Sequence, residues 1–391
     1  MRILHIRLGG RIRWCDVASI FLVVGMLFCG VSCQKDDTFT DHLDTRWTRF
    51  ARSEYDPSHQ HVLKNVRVVH VVGAFSDDRN LLGYSARSSY PYENLAIRVM
   101  EVESGQAVTT LEGHWGSTQC IAFTRDGHNL VSGGERYIKF WDITESRQIS
   151  RADAHQGYIR CIACSPVSDM AASGGQDGSI LVWNLKPLRV SQRLLGHSGG
   201  VRCLTWSSDG SSILSGSWDG SIRLWDLSDG SSRFTAQAGY GRVMSLDLTR
   251  DGRFAMSSYL NGVILWDIEK EQEINRFAVP GNPWHADQSL HIASVAFSPD
   301  GETALFGAVF GSVIWWDVRN WRQIDHNLVH KKELTDVVFS ADGEQAISVG
   351  GDGEMVTQVS VWTLPEYHAE NEKPEGDEQR DKRDTANTDE H

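Results

Sequence analysis

Three segments of the chain contain a histidine, a serine and an aspartate at one constant spacing, and these are the groups that a serine hydrolase needs. A serine becomes a nucleophile when a histidine accepts its proton and a carboxylate orients that histidine. The sets are His155, Ser173 and Asp177; His197, Ser215 and Asp219; and His330, Ser348 and Asp352. Each set precedes a tryptophan, at Trp183, Trp225 and Trp362. An enzyme needs one such site, whereas a packing device recurs in every module, so the recurrence favours a structural role.

Three further segments keep the tryptophan but lack some or all of the polar set. They have His114 and Ser132 without an aspartate before Trp141; Gly239 and Asn261 at the histidine and aspartate positions before Trp266; and Gln288, Phe306 and Phe310 at all three positions before Trp316. We expect these segments to rely on apolar packing instead.

The tryptophans mark an internal repeat. Those at 141, 183, 225, 266, 316 and 362 are separated by 42, 42, 41, 50 and 46 residues, and IRVMEV at 97–102 is a seventh copy with Met100 in place of tryptophan. Most copies contain a turn such as TWSSDG (205–210), and their flanking runs alternate between apolar and polar residues. Asp-Gly between alternating runs is a strong hairpin signal. Each copy is therefore predicted to be a small antiparallel sheet that must stack on its neighbours to bury both faces.

The copy that contains Gly196-His197, TWSSDG and SGSWDGSIRLWD closely resembles the WD40 repeat family. The resemblance covers residues 44–365 and implies an all-β, seven-bladed propeller with four antiparallel strands per blade. In that family an N-terminal strand closes the ring, and Thr45–Arg52 is the segment expected to supply it. The resemblance also implies that each complete His, Ser and Asp set, with its tryptophan, is a structural hydrogen-bonded tetrad.

Before the repeats lies a segment that is typical of an exported protein. Residues 1–14 carry four arginines and no acid, a stretch of 17 uncharged residues follows Asp16, and Gly-Val-Ser-Cys ends at Cys33. This layout resembles a bacterial lipoprotein leader, although Gly30 stands where that family usually has leucine. Lipidation at Cys33, an uncleaved anchor helix, a plain cleaved signal and a misassigned start codon all remain open. The predicted organisation is a leader or anchor at 1–33, a tether at 34–43, the propeller at 44–365 and an acidic disordered tail at 366–391.

Charge and cysteine content limit the class of function. The formal net charge of −13 disfavours nucleic-acid binding, which depends on cationic surface. Cys120, Cys161 and Cys203 each follow a repeat histidine by six residues, which predicts one small buried position in adjacent blades. The pair Cys161 and Cys164 has a spacing found in metal sites, but residues i and i+3 of a strand point to opposite faces. The sequence predicts neither a metal nor a cofactor.

The narrow face, which carries the histidine and aspartate loops, is where partners usually meet this family. Register carried over from the family places on it Tyr158, Arg160, Arg202, Trp218, Arg242 and Met244, flanked by Gln119 and Gln176. Arginine and tryptophan dominate interface hot spots, and arginine pairs bidentately with carboxylates. These residues therefore predict a site for an acidic or aromatic-bearing segment of a protein. The alternative is that the arginines pair with neighbouring aspartates and line a solvated channel mouth.

Three longer loops are also expected on the narrow face. They are SARSSYPYE (85–93), PGNPWHADQ (280–288) and GEMVTQV (353–359), and they contain the aromatic candidates Tyr90, Tyr92, Trp284 and His285. Long loops often carry binding functions, but ordinary surface insertions look the same.

The sequence therefore favours a monomeric, non-catalytic protein-interaction scaffold, exported to the bacterial envelope and tethered to a membrane only through its N-terminus. A propeller that binds small ligands or glycans through the channel mouth and aromatic loops is the second hypothesis. An enzyme with an unrecognised site is the third, since the familiar catalytic motifs are missing.

Overall fold

A computed structural model gives the fold. It describes residues 61–67, 71–76, 80–86, 96–102, 104–114, 118–237, 241–259, 262–278, 292–308, 311–330, 334–340, 342–351 and 356–364. The predicted leader with Cys33, the tether, the acidic tail, Trp284 and Asp352 lie outside these residues. Within the described ranges, all regular structure is β-strand, and no helix has the length and hydropathy to cross a membrane.

The strands form seven antiparallel sheets of four strands, which we call blades 1 to 7. The first strand among the described residues is β1 (His61–Arg67). Blades 1 to 3 are β2 (Val71–Phe75), β3 (Leu81–Ala86), β4 (Ile97–Glu101) and β5 (Ala107–Leu111); β6 (Cys120–Phe123), β7 (Asn129–Gly133), β8 (Tyr137–Asp142) and β9 (Arg147–Asp153); and β10 (Ile159–Cys164), β11 (Met170–Gly175), β12 (Ile180–Leu185) and β13 (Leu188–Leu194).

Blades 4 to 6 follow the same order from the inside of the ring outwards. They are β14 (Val201–Trp206), β15 (Ser212–Ser217), β16 (Ser221–Asp226) and β17 (Ser232–Gln237); β18 (Ser245–Leu248), β19 (Phe254–Tyr259), β20 (Gly262–Asp267) and β21 (Gln272–Ala278); and β22 (Ile292–Phe297), β23 (Thr303–Ala308), β24 (Ser312–Asp317) and β25 (Arg322–Leu328). Blade 7 combines β26 (Leu334–Phe339), β27 (Gln345–Gly351) and β28 (Val356–Thr363) with β1 at its outer edge.

The innermost strands of successive blades pack side by side, and β26 of blade 7 also packs against β2 of blade 1. One hydrophobic cluster joins Phe75, Leu82 and Tyr84 of blade 1 to Ile347 and Val349 of blade 7. The first and last blades therefore share a core. The prediction of an all-β, seven-bladed propeller with four antiparallel strands per blade is confirmed.

The outer strand of blade 7 comes from the N-terminal side of the repeats. Strand β1 pairs antiparallel with β28, with His61 opposite Val361 and Arg67 opposite Val356. The segment predicted for this place, Thr45–Arg52, lies outside the described residues, and His61–Arg67 occupies the edge of β28 instead. The insertion in the Trp362 copy was predicted as a loop at 353–359, but β28 already begins at Val356, and its Thr357 pairs with Gly351 of β27. That part of the prediction was wrong, because the backbone continues the β27–β28 ladder there.

The hairpin turns that join the first two strands of a blade are stabilised by their own side chains. In blade 2, Thr124 Oγ1 donates to Asp126 Oδ1 at 2.6 Å, and the same carboxylate oxygen accepts the backbone N–H of His128 at 3.1 Å. Gly127 follows with φ of 68°, a left-handed conformation that glycine adopts without steric cost. The hydroxyl-to-aspartate bond recurs at Ser207, Thr249, Ser298 and Ser340.

The core lies between blades rather than within them. Trp225 of blade 4 packs with Ile180, Val182 and Leu194 of blade 3 in one buried cluster. Each sheet thus packs between its two neighbours, so a single repeat is not expected to bury both of its faces alone.

Small residues let the inner strands approach each other. A Cβ added to Gly174 would lie 2.6 Å from Cys161 Sγ and 2.7 Å from a methyl of Val201 in the next blade. Gly133 and Gly216 have the same relation to Cys120 and Cys203. These three cysteines are free thiols packed between inner strands. No cluster of three or more metal-ligating side chains occurs in the part of the chain that the structure describes.

Blade 6 replaces the polar set by aromatic packing. The ring of Trp316 lies 5.5 Å from that of Phe306, 4.6 Å from that of Phe277 and 5.5 Å from that of Trp321, measured between centroids. Its indole Nε1 is buried and has no hydrogen-bond partner among the described residues.

Candidate functional site

The tetrad of blade 3 is a continuous hydrogen-bonded chain. The indole Nε1 of Trp183 donates to Ser173 Oγ at 2.9 Å, and Ser173 Oγ lies 2.8 Å from His155 Nε2. His155 Nδ1 lies 3.1 Å from Asp177 Oδ1. Because a carboxylate only accepts, Nδ1 carries the histidine proton and Nε2 accepts the serine hydroxyl.

Blade 4 repeats this geometry almost atom for atom. Trp225 Nε1 donates to Ser215 Oγ at 2.8 Å, Ser215 Oγ lies 2.7 Å from His197 Nε2, and His197 Nδ1 lies 3.1 Å from Asp219 Oδ2. Ser215 and its counterpart Ser173 are completely buried. Neither hydroxyl can reach a substrate from solvent.

Burial also sets the protonation states of the two complete tetrads. Desolvation lowers the pKa of His155 and of His197 despite the adjacent carboxylates, so both imidazoles are neutral at neutral pH. For Asp219, burial alone would raise the pKa, but hydrogen bonds from Ser221 and from the Ser198 amide outweigh it and hold the pKa below its usual range. The carboxylate is ionised and fully engaged inside the fold.

The other blades contain shorter chains. In blade 2, His114 Nε2 lies 2.6 Å from Ser132 Oγ, which accepts the indole N–H of Trp141 at 2.8 Å. The aspartate is absent there, and the buried Lys139 Nζ donates to the Gly113 carbonyl instead. In blade 5, Ser257 accepts from Trp266 Nε1 at 2.9 Å. Sequence reasoning missed Ser257 because its histidine and aspartate partners are not in the repeat.

In blade 7 the structure describes the side chains of only two members of the predicted tetrad, His330 and Ser348. His330 Nε2 lies 2.6 Å from Ser348 Oγ. His330 Nδ1 is buried without a hydrogen-bond partner among the described residues. Asp352 lies outside those residues, as does the side chain of Trp362.

Two of the predicted narrow-face arginines occupy equivalent β-bulges. In blade 3, Ile159 pairs with Gly175 and Cys161 with Gly174, so Arg160 is the extra residue between them. Arg202 has the same place in blade 4. A bulge leaves its residue out of the ladder and re-aims its side chain. The side chains of Arg160 and Arg202 therefore do not follow the alternation between the two faces of the sheet that the rest of each strand follows.

Side chains from three blades meet around one tryptophan. The guanidinium carbon of Arg160 lies 5.0 Å from the ring centroid of Trp218 and 5.0 Å from that of Tyr158. Arg242 approaches Trp218 from blade 5, at 4.8 Å. Arg160 Nη2 also donates to Gln176 Oε1 at 3.2 Å. We call Tyr158, Arg160, Trp218 and Arg242 the arginine–tryptophan cluster.

A glycine that the sequence analysis did not single out makes room for this cluster. Trp218 donates its backbone N–H to the Gly200 carbonyl at 2.9 Å. A Cβ added to Gly200 would lie 3.3 Å from Trp218 Cε3 and 3.2 Å from the Gln176 Cα. Gly200 therefore allows the indole to lie close to blade 3. The signal in the sequence is the Gly199-Gly200 pair, at a position where blade 3 has Tyr158.

The remaining predicted partner residues are not brought into the cluster. Arg202 is half-buried. Burial raises the pKa of the Cys120 and Cys161 thiols, and the nearby positive charge of Arg202 opposes that rise. Met244 is half-buried, and its backbone N–H donates to the Ser258 carbonyl at 3.0 Å. The alternative in which the arginines pair with aspartates is not seen for Arg202 or Arg242, which form no ion pair within the described residues.

Comparison with known proteins agrees with this architecture. The family model described as WD domain, G-beta repeat matches residues 105–142, 146–184 and 188–226. Each matched range begins near the outer strand of one blade and ends with the third strand of the next. The sequence repeat therefore straddles two blades.

Several characterised proteins are similar to parts of the chain. The Small ribosomal subunit protein RACK1y of Oryza sativa subsp. japonica is 27% identical over 210 residues, which is 53% of this chain and 49% of that protein. The U3 small nucleolar RNA-associated protein 15 homolog of Xenopus tropicalis is 28% identical over 112 residues, 28% of this chain and 21% of that protein. Protein SLOW WALKER 1 of Arabidopsis thaliana is 33% identical over 75 residues, 19% of this chain and 14% of that protein. The chain thus spans about half the length of the rice protein and less of the other two.

Proposed function

Since the chain carries WD40 repeats and folds as a seven-bladed β-propeller, we propose that it is a non-catalytic scaffold that binds a protein partner on its narrow face. The observation that carries the proposal is the arginine–tryptophan cluster. Two guanidiniums from blades 3 and 5 flank the indole of blade 4 within 5.0 Å. Stacking fixes the arginine side chains, so less conformational entropy is lost when they bind a carboxylate.

Two further observations support a binding role rather than catalysis. The serines of the complete tetrads are buried, and their histidines are held neutral by desolvation inside the fold. The relatives point the same way, because the rice protein is named for the small ribosomal subunit and the frog protein for its association with U3 small nucleolar RNA. Both names describe parts of larger assemblies.

The test is a cross-linking pull-down with the double variant Arg160→Ala and Arg242→Ala, which removes both guanidiniums from Trp218. We expect recovery of the specific partner to fall about tenfold or more. Truncation of one arginine at a hot spot of an interface costs on the order of 1 kcal/mol or more of binding free energy, and this variant truncates two. The control is Arg125→Ala with Arg189→Ala, two exposed arginines at the other end of the strands. Equal recovery with both double variants would remove the cluster from the interface.

We also propose that the chain is exported and tethered to the bacterial envelope through a lipidated Cys33. The support is the order of an arginine-rich segment, an uncharged stretch and Gly-Val-Ser-Cys in the sequence. Mass spectrometry of the mature N-terminus is expected to show a diacylglyceryl Cys33, and the Cys33→Ser variant is expected to lose it. A mature protein that begins at Met1 would contradict the proposal.

A further inference from the structure

Beyond the arginine–tryptophan cluster, the narrow face carries a second set of arginines nearer the rim of the ring. Arg151 lies on the outer strand of blade 2 and Arg193 on the outer strand of blade 3, and both are exposed. Arg223 lies on the third strand of blade 4 and is half-buried. We call Arg151, Arg193 and Arg223 the outer row.

All three lie near the narrow-face ends of their strands. Arg193 is paired with Leu181, the second residue of β12, and Arg223 is the third residue of β16. Arg193 and Arg223 each stand close enough to the tetrad histidine of their own blade to lower its pKa electrostatically. The outer row therefore flanks the same loops as the cluster.

The outer row has no acidic partner. Within the described residues, Arg151, Arg193 and Arg223 form no ion pair, although Arg136, which lies over the same Tyr137 ring as Arg151, binds Asp153 at 3.1 Å. The opposite face differs, because many of its cations are paired there. Examples are Lys186 with Asp169 at 3.4 Å, Lys270 with Asp267 at 3.1 Å and Arg319 with Glu302 at 2.5 Å.

The arrangement is also unfavourable by itself. Arg151 lies directly opposite Lys139 in the β8–β9 ladder, and like charges directly opposite each other destabilise a sheet. The two carboxylates nearest the tetrad histidines, Asp177 and Asp219, are already bound by imidazole and backbone N–H groups. Sequences keep such local conflicts where function requires them.

We propose that the cluster and the outer row form one cationic surface across blades 2 to 5, which binds an extended, carboxylate-rich segment of a protein partner. The inference rests on the proposed function and specifies its partner. In blade 3, Arg160 on the inner strand and Arg193 on the outer strand are three strand spacings apart, about 14 Å. An extended peptide covers that distance in about five residues. The acidic segment therefore crosses the blade from cluster to row.

The chemistry favours a carboxylate-rich protein segment over a nucleic acid. A long polyphosphate would meet the field of the whole chain, whose formal net charge is −13. A short acidic peptide interacts mainly with the local arginines, because charges farther away than about 8–10 Å are screened at physiological salt. The ring of Trp218 already lies against Arg160 and Arg242, so it serves to hold these two side chains.

The test measures binding of a fluorescein-labelled octaglutamate peptide to the full chain by fluorescence anisotropy, with octaglutamine as the neutral comparison. Three charge-matched double variants are compared, each with circular dichroism to verify the fold. They are Arg151→Glu with Arg193→Glu in the outer row, Arg160→Glu with Arg242→Glu in the cluster, and Arg125→Glu with Arg189→Glu on the opposite face. We expect Kd to rise about tenfold or more for the first two and less than about twofold for the third.

Each alternative outcome has a distinct meaning. If the outer-row variant binds like the opposite-face variant while the cluster variant is impaired, the extended surface is refuted and the proposed function stands. If the cluster variant also behaves like the opposite-face variant, the proposed function fails as well. Equal binding of octaglutamine, or tighter binding of a thymidine oligonucleotide of equal charge than of octaglutamate, would overturn the assignment of an acidic protein segment.

Discussion

Replacement of Trp225 by phenylalanine is expected to lower the free energy of unfolding by about 2 kcal/mol more than the same replacement at Trp316. The two tryptophans occupy the same repeat position and are both almost fully buried. Their indole N–H groups differ, because Trp225 Nε1 donates to Ser215 Oγ at 2.8 Å and Trp316 Nε1 has no partner among the described residues. Loss of ring volume is the same at both sites, and only Trp225 loses a serine–indole hydrogen bond, so we attribute its larger expected loss of stability to that bond.

The sign follows from the cost of an unsatisfied buried polar group, about 1–3 kcal/mol. The change at Trp225 breaks a bond and leaves Ser215 with one partner fewer inside the fold. The change at Trp316 removes a donor that is already unpaired, which offsets part of the loss of aromatic contacts with Phe277 and Phe306.

Guanidinium chloride unfolding followed by circular dichroism measures the two variants against the parent chain. The single variant Ser215→Ala and the double variant Ser215→Ala with Trp225→Phe complete a double-mutant cycle, which isolates the serine–indole hydrogen bond. Equal destabilisation at both tryptophans would show that the tetrad bond contributes nothing beyond packing.

The repeat made the blades predictable, because the tryptophan spacing marks the third strand of blades 2 to 7 and the Asp-Gly turns mark the first hairpin of most blades. Strand β1 was harder to locate. The single outer strand of blade 7 has no repeat partner in the sequence, and outer strands such as β9 keep most of their side chains in solvent. Such a strand has only a weak hydrophobic pattern, so Thr45–Arg52 could be mistaken for it.

The site was predictable in its positions but not in its contacts. Repeat register indicated that Arg160, Trp218 and Arg242 share a face. Their stacking around one indole depends on how closely blades 3, 4 and 5 pack, and the absence of a side chain at Gly200 decides part of that. The outer row was not predicted from the sequence. Exposed charged residues on a strand cannot be told apart until the side chains around them are known. Only the fold shows that the nearby carboxylates of Asp177 and Asp219 are already engaged by imidazole and backbone N–H groups.

The stability of the propeller is expected to fall steeply as the pH is lowered from about 7 to about 4. Desolvation lowers the pKa of the four repeat histidines, to about 3 for His114 and to about 4 for His330, and it also lowers the pKa of His155 and of His197. In the unfolded chain these groups titrate near pH 6.5. Below that pH the unfolded state binds protons that the folded state excludes, so the unfolded state gains free energy of protonation.

For His330 alone, a shift from 6.5 to about 4 corresponds to about 3 kcal/mol once the pH lies below the folded pKa. The loss begins near pH 6.5 and is separate from that of Asp177 and Asp219, because hydrogen bonds from backbone N–H groups and serine hydroxyls outweigh burial and hold the pKa of both carboxyls below its usual range. Unfolding midpoints measured between pH 7.5 and 4.5 therefore report mainly on the histidines.

The matched variants are His330→Gln, which keeps a polar group near Ser348 but does not titrate, and His128→Gln, which changes an exposed histidine. We expect the first to be less stable at pH 7.5 and to lose less stability on acidification, so that its pH profile is flatter than that of the parent. The second is expected to follow the parent profile. A parent profile without slope between pH 6.5 and 4.5 would mean that the histidines take up protons without unfolding. The tetrads would then be open to water, and their serines would again be candidates for chemistry.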